Sequence, residues 1–291
     1  MKSKKKQKIN LKHIKKNKIC SPEAQNSFTC FNKIALINII KSWNKSNKDH
    51  KIKYKKTDSK KKLWSYLNNR FKSRCNDELC WTKQDFINNT KYLKSRYFKP
   101  IMPKKWKEDM NTWLNTFDIS KVMKQYENKH KDFYFIGPVP IDFDEILSPG
   151  MCVIDELCKI DIKSLIKKNK TKLGVIFNMD KHTQEGSHWV SFFADFIKQH
   201  IYYFDSYGYE EPKEIKTLIE RLKEQGKTLN KNMEYFYNNT RHQYKTSECG
   251  VYSIHFITKL LENRPYEELF NNVIGDDSMQ ENRKEYFNDK E

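Results

Sequence analysis

The chain has 291 residues, of which 37% are hydrophobic and 14% aromatic, so it has the apolar content of a folded protein and not of a disordered one. It contains no apolar run of the roughly 18 to 20 residues that a membrane-spanning helix needs. No apolar stretch follows the basic segment Met1–Lys6, so we expect no secretory signal peptide and a reducing compartment.

The net charge of +19 is concentrated in the first third of the chain. Residues 1–104 carry 29 basic and 6 acidic side chains, whereas residues 105–291 carry 27 basic and 31 acidic ones. A basic segment of this kind predicts binding to a polyanion such as DNA, or to an acidic protein. Coding bias is the alternative explanation, because only 7 of the 56 basic residues are arginine and an AT-rich genome favours lysine.

Composition and periodicity divide the chain into three predicted parts. Residues 1–25 form a lysine-rich, basic tail that we expect to be disordered. Residues 26–104 form a basic arm domain with apolar residues at helical spacing, and Pro100 and Pro103 mark its end. Residues 105–291 form the second, larger domain. The apolar residues that indicate helices in the arm domain are Ile34, Ile37, Ile40 and Trp43, followed by Leu63, Tyr66, Leu67 and Phe71.

The larger domain mixes predicted helices with predicted strands. Its first helix runs from Asp118, a favourable capping residue, to about Lys129. A hairpin is predicted where two strands meet across Lys198–His200. The predicted strands are Phe133–Ile136, Leu173–Asn178, Trp189–Phe196, Ile201–Asp205 and Glu234–Asn238, and the later helices are Glu214–Gln225 and Cys249–Leu261.

The chain contains seven cysteines, an odd number. Cys75 and Cys80 have the spacing of half a zinc site, but no second pair with suitable ligands accompanies them, so no metal is predicted. Six of the cysteines are interpreted as small buried hydrophobic side chains, namely Cys20, Cys30, Cys75, Cys80, Cys152 and Cys158.

The seventh cysteine, at the start of the last predicted helix, is the candidate nucleophile. Cys249 reacts as a thiolate, a form that a helix N-terminus and a nearby imidazolium both favour. Ser247 or Thr246 is expected to cap this helix. The predicted hairpin brings His188, at the start of one strand, next to Asp205, at the end of the other. These two residues then serve as a general base and the carboxylate that orients it.

Gln243 and the backbone N–H of Cys249 are the candidate donors to a tetrahedral oxyanion. Gly250 is expected to let the substrate backbone approach closely. Each residue alone has an ordinary structural explanation, whereas the joint order His, Asp, Gln, Cys is typical of a thiol hydrolase. Four other histidines are considered for the base and are less suitable by their predicted positions. These are His182 in a polar loop, His200 at a turn, His242 without a strand partner that would place it opposite an acid, and His255 on the helix of the nucleophile itself.

Three segments, Gly186–Val190, Tyr203–Ser206 and Arg241–Tyr252, resemble the motifs of the papain-like superfamily that contains the SUMO-specific proteases and the adenovirus endopeptidase. They resemble most the large DNA virus branch, typified by the African swine fever virus polyprotein protease. The resemblance covers about residues 105–291 and implies an α+β fold, a papain-like cysteine protease core with permuted order beside a small N-terminal helical arm domain. Asp205 stands where the swine fever protease carries asparagine, which favours a full triad here.

The resemblance also implies a role for individual residues and no cofactor for the chemistry. Trp189 forms a wall of a narrow tunnel that admits only glycine near the scissile bond, and Asn178 lines the site. The implied catalytic residues are Cys249 as nucleophile, His188 as general base and then acid, Asp205 as the orienting residue and Gln243 as oxyanion donor.

These implications lead to a predicted function. We expect a viral cysteine endopeptidase that matures structural polyproteins at Gly-Gly-Xaa sites during virion assembly, in the host cytoplasm and the virion. A non-viral protein of this kind is expected in the cytoplasm or nucleus, and neither is expected to be secreted or to bind membranes. Two alternatives stay open: an isopeptidase that removes a ubiquitin-like modifier, and an inactive nucleic-acid-binding scaffold. The adenovirus enzyme uses DNA as a polyanion cofactor, and this similarity favours DNA binding by the basic arm.

Overall fold

The computed structural model describes residues 19–24 and 26–289. The chain divides into two compact units, an N-terminal unit that ends at Lys99 and a C-terminal unit that begins at Pro100. Among the residues described, no helix combines the length and the apolar character that crossing a membrane requires.

Most of the predicted disordered tail, residues 1–25, lies outside the described residues, but its last part is packed. Cys20 forms a β-bridge with Phe98, and the N–H of Ser21 donates to the carbonyl of Tyr97 at 3.0 Å. Ile19 and Cys20 are both buried. The expectation of disorder is therefore wrong for residues 19–24, because this segment buries apolar side chains and pairs its backbone with the end of the N-terminal unit.

The N-terminal unit is helical and surrounds a core of aromatic rings. Phe31 stacks on Trp81 with ring centroids 6.1 Å apart, and Trp43 meets Phe71 edge-on at 5.5 Å. The first helix begins after Asn32, whose side chain accepts a backbone N–H of its first turn. The helices are α1 (Lys33–Ser46), α2 (Lys60–Phe71), α3 (Glu78–Trp81) and α4 (Thr90–Tyr97), with short 3-10 helices at Pro22–Ala24 and Lys48–His50.

The six cysteines outside the candidate site differ from the prediction. They form three disulfides, and Cys249 is the free cysteine. Cys80 and Cys158 are only half-buried, so the interpretation as six buried hydrophobic side chains is wrong. The two members of each pair are close in sequence and are brought within bonding distance by local turns. The pairs are Cys20–Cys30, Cys75–Cys80 and Cys152–Cys158.

A five-stranded mixed sheet forms the centre of the described part of the C-terminal unit. Its strands are β1 (Phe133–Pro140), β4 (Lys172–Asn178), β5 (Trp189–Asp195), β6 (His200–Phe204) and β7 (Glu234–Tyr237), while β2 (Ile146–Ser148) and β3 (Met151–Cys152) form a separate hairpin. The order across the sheet is β1-β4-β5-β6-β7. The pairs β4–β5 and β5–β6 are antiparallel, and the outer strands β1 and β7 are parallel to their neighbours.

Helices cover both faces of this sheet. They are α5 (Lys105–Glu108), α6 (Thr116–Lys129), α7 (Asp155–Cys158), α8 (Ile162–Lys167), α9 (Lys213–Thr228), α10 (Cys249–Leu261), α11 (Tyr266–Asn271) and α12 (Asp276–Tyr286). Alternate side chains of a strand point to opposite faces, so Val190 and Phe192 join the layer of α8 and α9. Trp189 and Phe193 join the layer of α6, α10 and α12. The α+β fold class predicted from the sequence is confirmed.

The cap of α6 differs from the prediction. The helix begins at Thr116, and Asn115 is its N-cap. The Asn115 side chain accepts the N–H of Asp118 at 3.0 Å, and the Asp118 carboxylate accepts the N–H of Asn115 at 3.3 Å. Asp118, the predicted cap, is therefore the third helical residue of a capping box, because Asn115 offers an equally good acceptor one turn earlier.

Candidate active site

The hairpin of β5 and β6 brings His188 and Asp205 together. His188 directly precedes the first residue of β5 and Asp205 directly follows the last residue of β6, so both lie at the same edge of the sheet. The His188 Nε2 atom is 2.8 Å from Asp205 Oδ1. A carboxylate only accepts, so Nε2 carries the hydrogen of this bond. The other nitrogen of the ring, Nδ1, remains for Cys249, with which His188 also interacts.

The surroundings of His188 favour its charged form. Burial by itself lowers the pKa of this histidine, but its hydrogen bonds to Asp205 and Cys249 outweigh burial and raise the pKa to about 9. His188 is therefore an imidazolium at neutral pH. A cation beside a cysteine favours the thiolate over the thiol, and the thiolate is the reactive form of the residue.

This pKa predicts a pH profile. We expect peptide cleavage, measured as kcat/KM, to fall as the pH rises through about 9, because His188 then loses its proton. A raised pKa also means that the group stabilises the fold fully below about pH 6.5, and that this contribution is lost as the pH rises through about 9. Asp205→Asn removes the negative partner and should move the alkaline limb to lower pH. An alkaline limb at the same pH in both proteins would contradict the assignment.

Asp205 is fixed by a residue that the sequence did not indicate as part of the site. The Asn238 side chain accepts the backbone N–H of Asp205 at 2.9 Å and donates to its carbonyl at 2.8 Å. Asn238 is fully buried, and it also donates to the carbonyl of Thr240 at 2.9 Å. The Asn238 side chain thus makes the two backbone hydrogen bonds that a neighbouring strand would otherwise make with Asp205. An asparagine after the end of β7 was the available signal, but a loop asparagine has many other uses.

Gln243 is buried and held in one orientation. Its Oε1 accepts the hydroxyl of Ser206 at 2.6 Å, and its backbone N–H donates to the Ser206 carbonyl at 2.8 Å. Its Nε2 donates to the carbonyl of Lys245 at 2.7 Å, and the second N–H of this group is unused among the described residues. The role of Gln243 as oxyanion donor stays a prediction.

Cys249 is the first residue of α10 and is 1% exposed. The predicted side-chain cap is absent, since Glu248 is the N-cap residue and makes no capping hydrogen bond. Ser247 instead donates its hydroxyl to the Glu248 carboxylate at 3.1 Å, and Thr246 is exposed. The capping prediction is wrong because the helix begins directly at Cys249, so that Glu248 occupies the N-cap position and Ser247 and Thr246 precede it. The N-terminal position of Cys249 on the helix agrees with the prediction.

A buried ion pair holds the residue that precedes Cys249. Arg283, on α12, donates from Nε and Nη2 to the two oxygens of Glu248, at 2.9 and 2.8 Å. Both side chains are almost fully buried, at 0% and 1% exposure. The guanidinium also lies over the ring of Trp106, with its central carbon 4.5 Å from the centroid. Because the partners are far apart in the sequence, no local pattern indicates this pair.

Trp189 and Gly250 pack against each other beside Cys249. Trp189 is buried, and its Nε1 donates to the carbonyl of Leu114 at 3.0 Å. A Cβ atom on Gly250 would lie 3.1 Å from the Leu114 Cβ and 3.2 Å from Trp189 Cδ1. The absence of a side chain at Gly250 therefore lets the helix approach Trp189 and Leu114. The predicted contacts of Trp189 and Gly250 with substrate stay predictions.

Asn178 organises the loop that leads to His188. Its Oδ1 accepts the backbone N–H groups of Asp180 at 3.0 Å and Ser187 at 3.2 Å. Gly186 has a φ of 103°, and a Cβ there would lie 2.5 Å from the Asn178 side chain, so this loop requires glycine. The structure thus gives Asn178 a positioning contact, and its predicted contact with substrate stays a prediction.

The other histidines lie outside this arrangement. His182, Asp142 and Glu145 place their ligand atoms within 4.8 Å of one another, as in some metal sites. Both Asp142 oxygens are occupied, one by His182 Nδ1 at 2.7 Å and one by the His182 N–H at 2.9 Å. We therefore interpret this cluster as an anchor of the loop. The remaining contacts are His200 with Tyr202, His242 with the Phe270 carbonyl, and His255 with Tyr286.

Comparison with known proteins identifies the family. The profile of the Ulp1 protease family, C-terminal catalytic domain, matches residues 163–291. A thiol protease of Acanthamoeba polyphaga mimivirus is 32% identical over 286 residues, which cover 92% of this chain and 93% of that protein. A cysteine protease of African swine fever virus (Tick/Malawi isolate) is 28% identical over 247 residues, which cover 78% of this chain and 88% of that protein.

The fold agrees with these relationships. A crystal structure of an African swine fever virus protease superposes with a TM-score of 0.64 at 20% sequence identity, and the alignment covers 93% of this chain and 96% of that one. Because the sequence identity of this pair is low, the superposition is evidence for the fold alone. The sequence relatives and the family profile confirm the family predicted from the three motifs. The chain belongs to the Ulp1 family and is a viral cysteine-type peptidase.

Proposed function

We propose that the protein is an endopeptidase that cleaves polypeptides after Gly-Gly, with Cys249 as nucleophile and His188 as its acid–base partner. The observation that carries this proposal is the contact of His188 Nε2 with Asp205 at 2.8 Å, which leaves Nδ1 for the thiol at the start of α10. Gln243 and the backbone N–H of Cys249 are the proposed donors to the oxyanion. No metal or organic cofactor takes part in this scheme.

Each step then has an assigned group. The Cys249 thiolate attacks the carbonyl carbon, and the negative charge moves to the carbonyl oxygen, which Gln243 Nε2 and the Cys249 N–H stabilise. The tetrahedral intermediate collapses to a thioester as the C–N bond breaks, and His188 Nδ1–H gives its proton to the leaving amine. His188 next takes a proton from water as the water oxygen attacks the thioester. The C–S bond then breaks, which releases the carboxylic acid and restores the Cys249 thiolate beside the His188 imidazolium. Asp205 holds the Nε2–H side of the ring throughout.

Specificity for glycine follows from the burial of the nucleophile. Cys249 is 1% exposed and Trp189 is 6% exposed, and Leu114 packs beside them against Gly250. A carbonyl carbon must come within about 3 to 3.5 Å of the sulfur for attack. A substrate segment made of glycine has no side chains, so it can reach the buried sulfur of Cys249 with the least displacement of the surrounding residues. Two glycines before the scissile bond are therefore the substrate that this environment favours.

A pair of peptides tests this proposal. Replacing either glycine of a Gly-Gly-Xaa peptide by alanine should lower kcat/KM by about 10- to 100-fold, since forcing an added methyl into a packed site costs roughly 1 to 3 kcal/mol. Cleavage is measured by mass spectrometry of the products. Replacing Xaa by another small residue is the control and should have a smaller effect. Equal cleavage of the glycine and alanine peptides would contradict the glycine specificity.

The proposed substrates are viral structural polyproteins, cleaved during assembly in the host cytoplasm and in the virion. The viral origin of the relatives supports this choice. Some African swine fever virus relatives are described as SUMO-1 cysteine proteases, so a modifier is the alternative substrate. Incubating the protein with precursor polyproteins and, separately, with modifier conjugates distinguishes the two. N-terminal sequencing of the products identifies the cleaved bonds.

A second proposal concerns the basic first third of the chain. Residues 1–104 hold 29 basic and 6 acidic side chains, and we propose that they bind DNA or another polyanion. Binding of this kind releases the counterions condensed on DNA, and it weakens at higher salt because that release becomes less favourable. Affinity for DNA that does not change with salt would exclude this role.

A further inference from the structure

An aromatic and basic surface lies beside the candidate active site. The ring of Tyr207 stacks on His188, with centroids 4.7 Å apart and planes inclined by 28°. The guanidinium carbon of Arg241 lies 5.3 Å from the centroid of Tyr207 and 4.7 Å from that of Tyr244. We call these three residues, Tyr207, Arg241 and Tyr244, the arginine stack.

The arginine stack is tied to the catalytic residues by its backbone and side-chain hydrogen bonds. Arg241 Nε donates to the carbonyl of Gln243 at 2.8 Å. The N–H of Tyr207 donates to Asp205 Oδ1 at 2.8 Å, the same atom that binds His188. The position of the guanidinium is therefore fixed relative to the groups proposed to react. A fixed guanidinium loses little conformational freedom when it binds a ligand.

Arg241 differs from the other arginines of the C-terminal unit. Arg221 pairs with Asp144, Arg264 with Glu268 and Arg283 with Glu248. Arg241 is exposed, and its terminal nitrogens Nη1 and Nη2 have no hydrogen-bond or carboxylate partner in the part of the chain that the structure describes. Both of these nitrogens therefore remain free to donate. A planar guanidinium with free terminal nitrogens matches a carboxylate, which it binds through two parallel hydrogen bonds.

The distances limit where such a carboxylate lies on the substrate. Two successive ring contacts place the Arg241 guanidinium no more than about 10 Å from the His188 ring. An extended chain advances about 3.3 to 3.6 Å per residue, so this distance corresponds to about three residues. The carboxylate that Arg241 binds therefore lies close in space to the scissile bond, within reach of a residue about three positions from it.

We propose that Arg241, held between Tyr207 and Tyr244, binds an aspartate or glutamate of the substrate within about three residues of the cleaved bond. The proposal rests on the peptidase function above and adds a specificity determinant to it. Tyr207 links the two sites, because it contacts both the imidazole and the guanidinium. The chemistry recognised is a side-chain carboxylate, which Gly-Gly itself does not supply.

Unbiased profiling of cleavage sites tests the inference. A library of peptides made from a digested proteome is incubated with the wild-type protein, with Arg241→Gln and with Arg264→Gln, and the new termini are sequenced by mass spectrometry. Wild type should show an excess of acidic residues at one fixed position near the cut. Arg241→Gln should lose this excess. Arg264→Gln changes the net charge by the same amount as Arg241→Gln, but it does so at an exposed ion pair. This control variant should keep the excess of acidic residues.

A matched pair of peptides, identical except for glutamate or glutamine at that position, gives the magnitude. The wild-type protein should cleave the glutamate peptide about 10-fold better in kcat/KM, mainly through KM, as expected for a hydrogen bond to a charged group. In Arg241→Gln the ratio of the two peptides should fall to about one. Arg241→Lys keeps the positive charge but loses the planar guanidinium that donates two parallel hydrogen bonds. This variant should give an intermediate ratio of cleavage of the two peptides.

The outcomes separate this inference from the glycine specificity. Loss of kcat to the same extent for both peptides in Arg241→Gln would show that Arg241 acts only through Gln243, and would overturn the inference. Absence of any acidic preference in the wild-type profile would overturn it as well. An acidic preference that depends on Arg241 at sites without Gly-Gly would support the inference and contradict the glycine specificity.

Discussion

Replacing Cys249 by alanine is expected to lower peptide cleavage by about 10⁴-fold or more, because no other group can form the covalent thioester. Asp205→Ala should lower cleavage by less than Cys249→Ala does. In that variant the nucleophile and base remain, and only the contact that orients His188 at 2.8 Å is lost. The initial rate of cleavage of a Gly-Gly-Xaa peptide measures both effects.

The free thiol provides an independent control for the Cys249 variant. Cys249 is the free cysteine, and the other six form disulfides. A small alkylating reagent should therefore add one group to the wild-type protein and none to Cys249→Ala, as seen by intact mass. An unchanged melting temperature shows that the variant is folded. The thiol mechanism would be ruled out if the Cys249→Ala protein is folded, takes up no alkyl group and still cleaves the peptide at the wild-type rate.

Replacing Arg283 by methionine is expected to destabilise the protein by about 3 to 5 kcal/mol, because it leaves the Glu248 carboxylate buried without its partner. Glu248 is 1% exposed and accepts two hydrogen bonds from the guanidinium, at 2.8 and 2.9 Å. Cleavage should also fall, since Glu248 directly precedes Cys249 in the chain. Chemical denaturation followed by circular dichroism measures the free energy of unfolding.

A surface pair serves as the control for this effect. Arg264 and Glu268 are 64% and 51% exposed and their closest charged atoms are 3.9 Å apart, so Arg264→Met should cost at most about 1 kcal/mol. Combining Glu248→Gln with Arg283→Met removes both buried charges and should recover part of the lost stability. A loss below about 1 kcal/mol in Arg283→Met would mean that water reaches Glu248 and compensates its charge.

The sequence predicts best those parts of the site that depend on local patterns. The hairpin follows from alternating apolar residues, and it is enough to place His188 near Asp205. Two capping residues, Asn115 and Asp118, lie within one turn of each other, so the local pattern does not decide between them. The reciprocal hydrogen bonds of the capping box place Asn115 at the N-cap of α6. The helix that begins at Cys249 was predicted with the observed bounds, since its apolar residues repeat at helical spacing.

Contacts between distant segments account for most of what the sequence did not reveal. Arg283 reaches Glu248 only because α12 packs beside the start of α10, and no periodicity encodes this contact. Asn238 binds the backbone of Asp205 only because β6 and β7 are parallel neighbours. The cysteine pairs were missed because the expected compartment argued against disulfides. For Arg283 and Asn238 the decisive information is tertiary, and a chemically ordinary residue carries it, whereas the cysteine pairs are local in sequence.

The hairpin of β5 and β6 also separates the catalytic pair from the turn that connects the two strands. His188 and Asp205 lie at one end of the hairpin, whereas the turn at residues 196–199 lies at the other, about 20 Å away for a strand of this length. An insertion in the turn leaves the strand register unchanged. A deletion within either strand changes the register, so that His188 and Asp205 are no longer opposite each other. Ile197 and Lys198, the exposed residues of this turn, are therefore the place to attach a fluorescent reporter for observing substrate binding without disturbing catalysis.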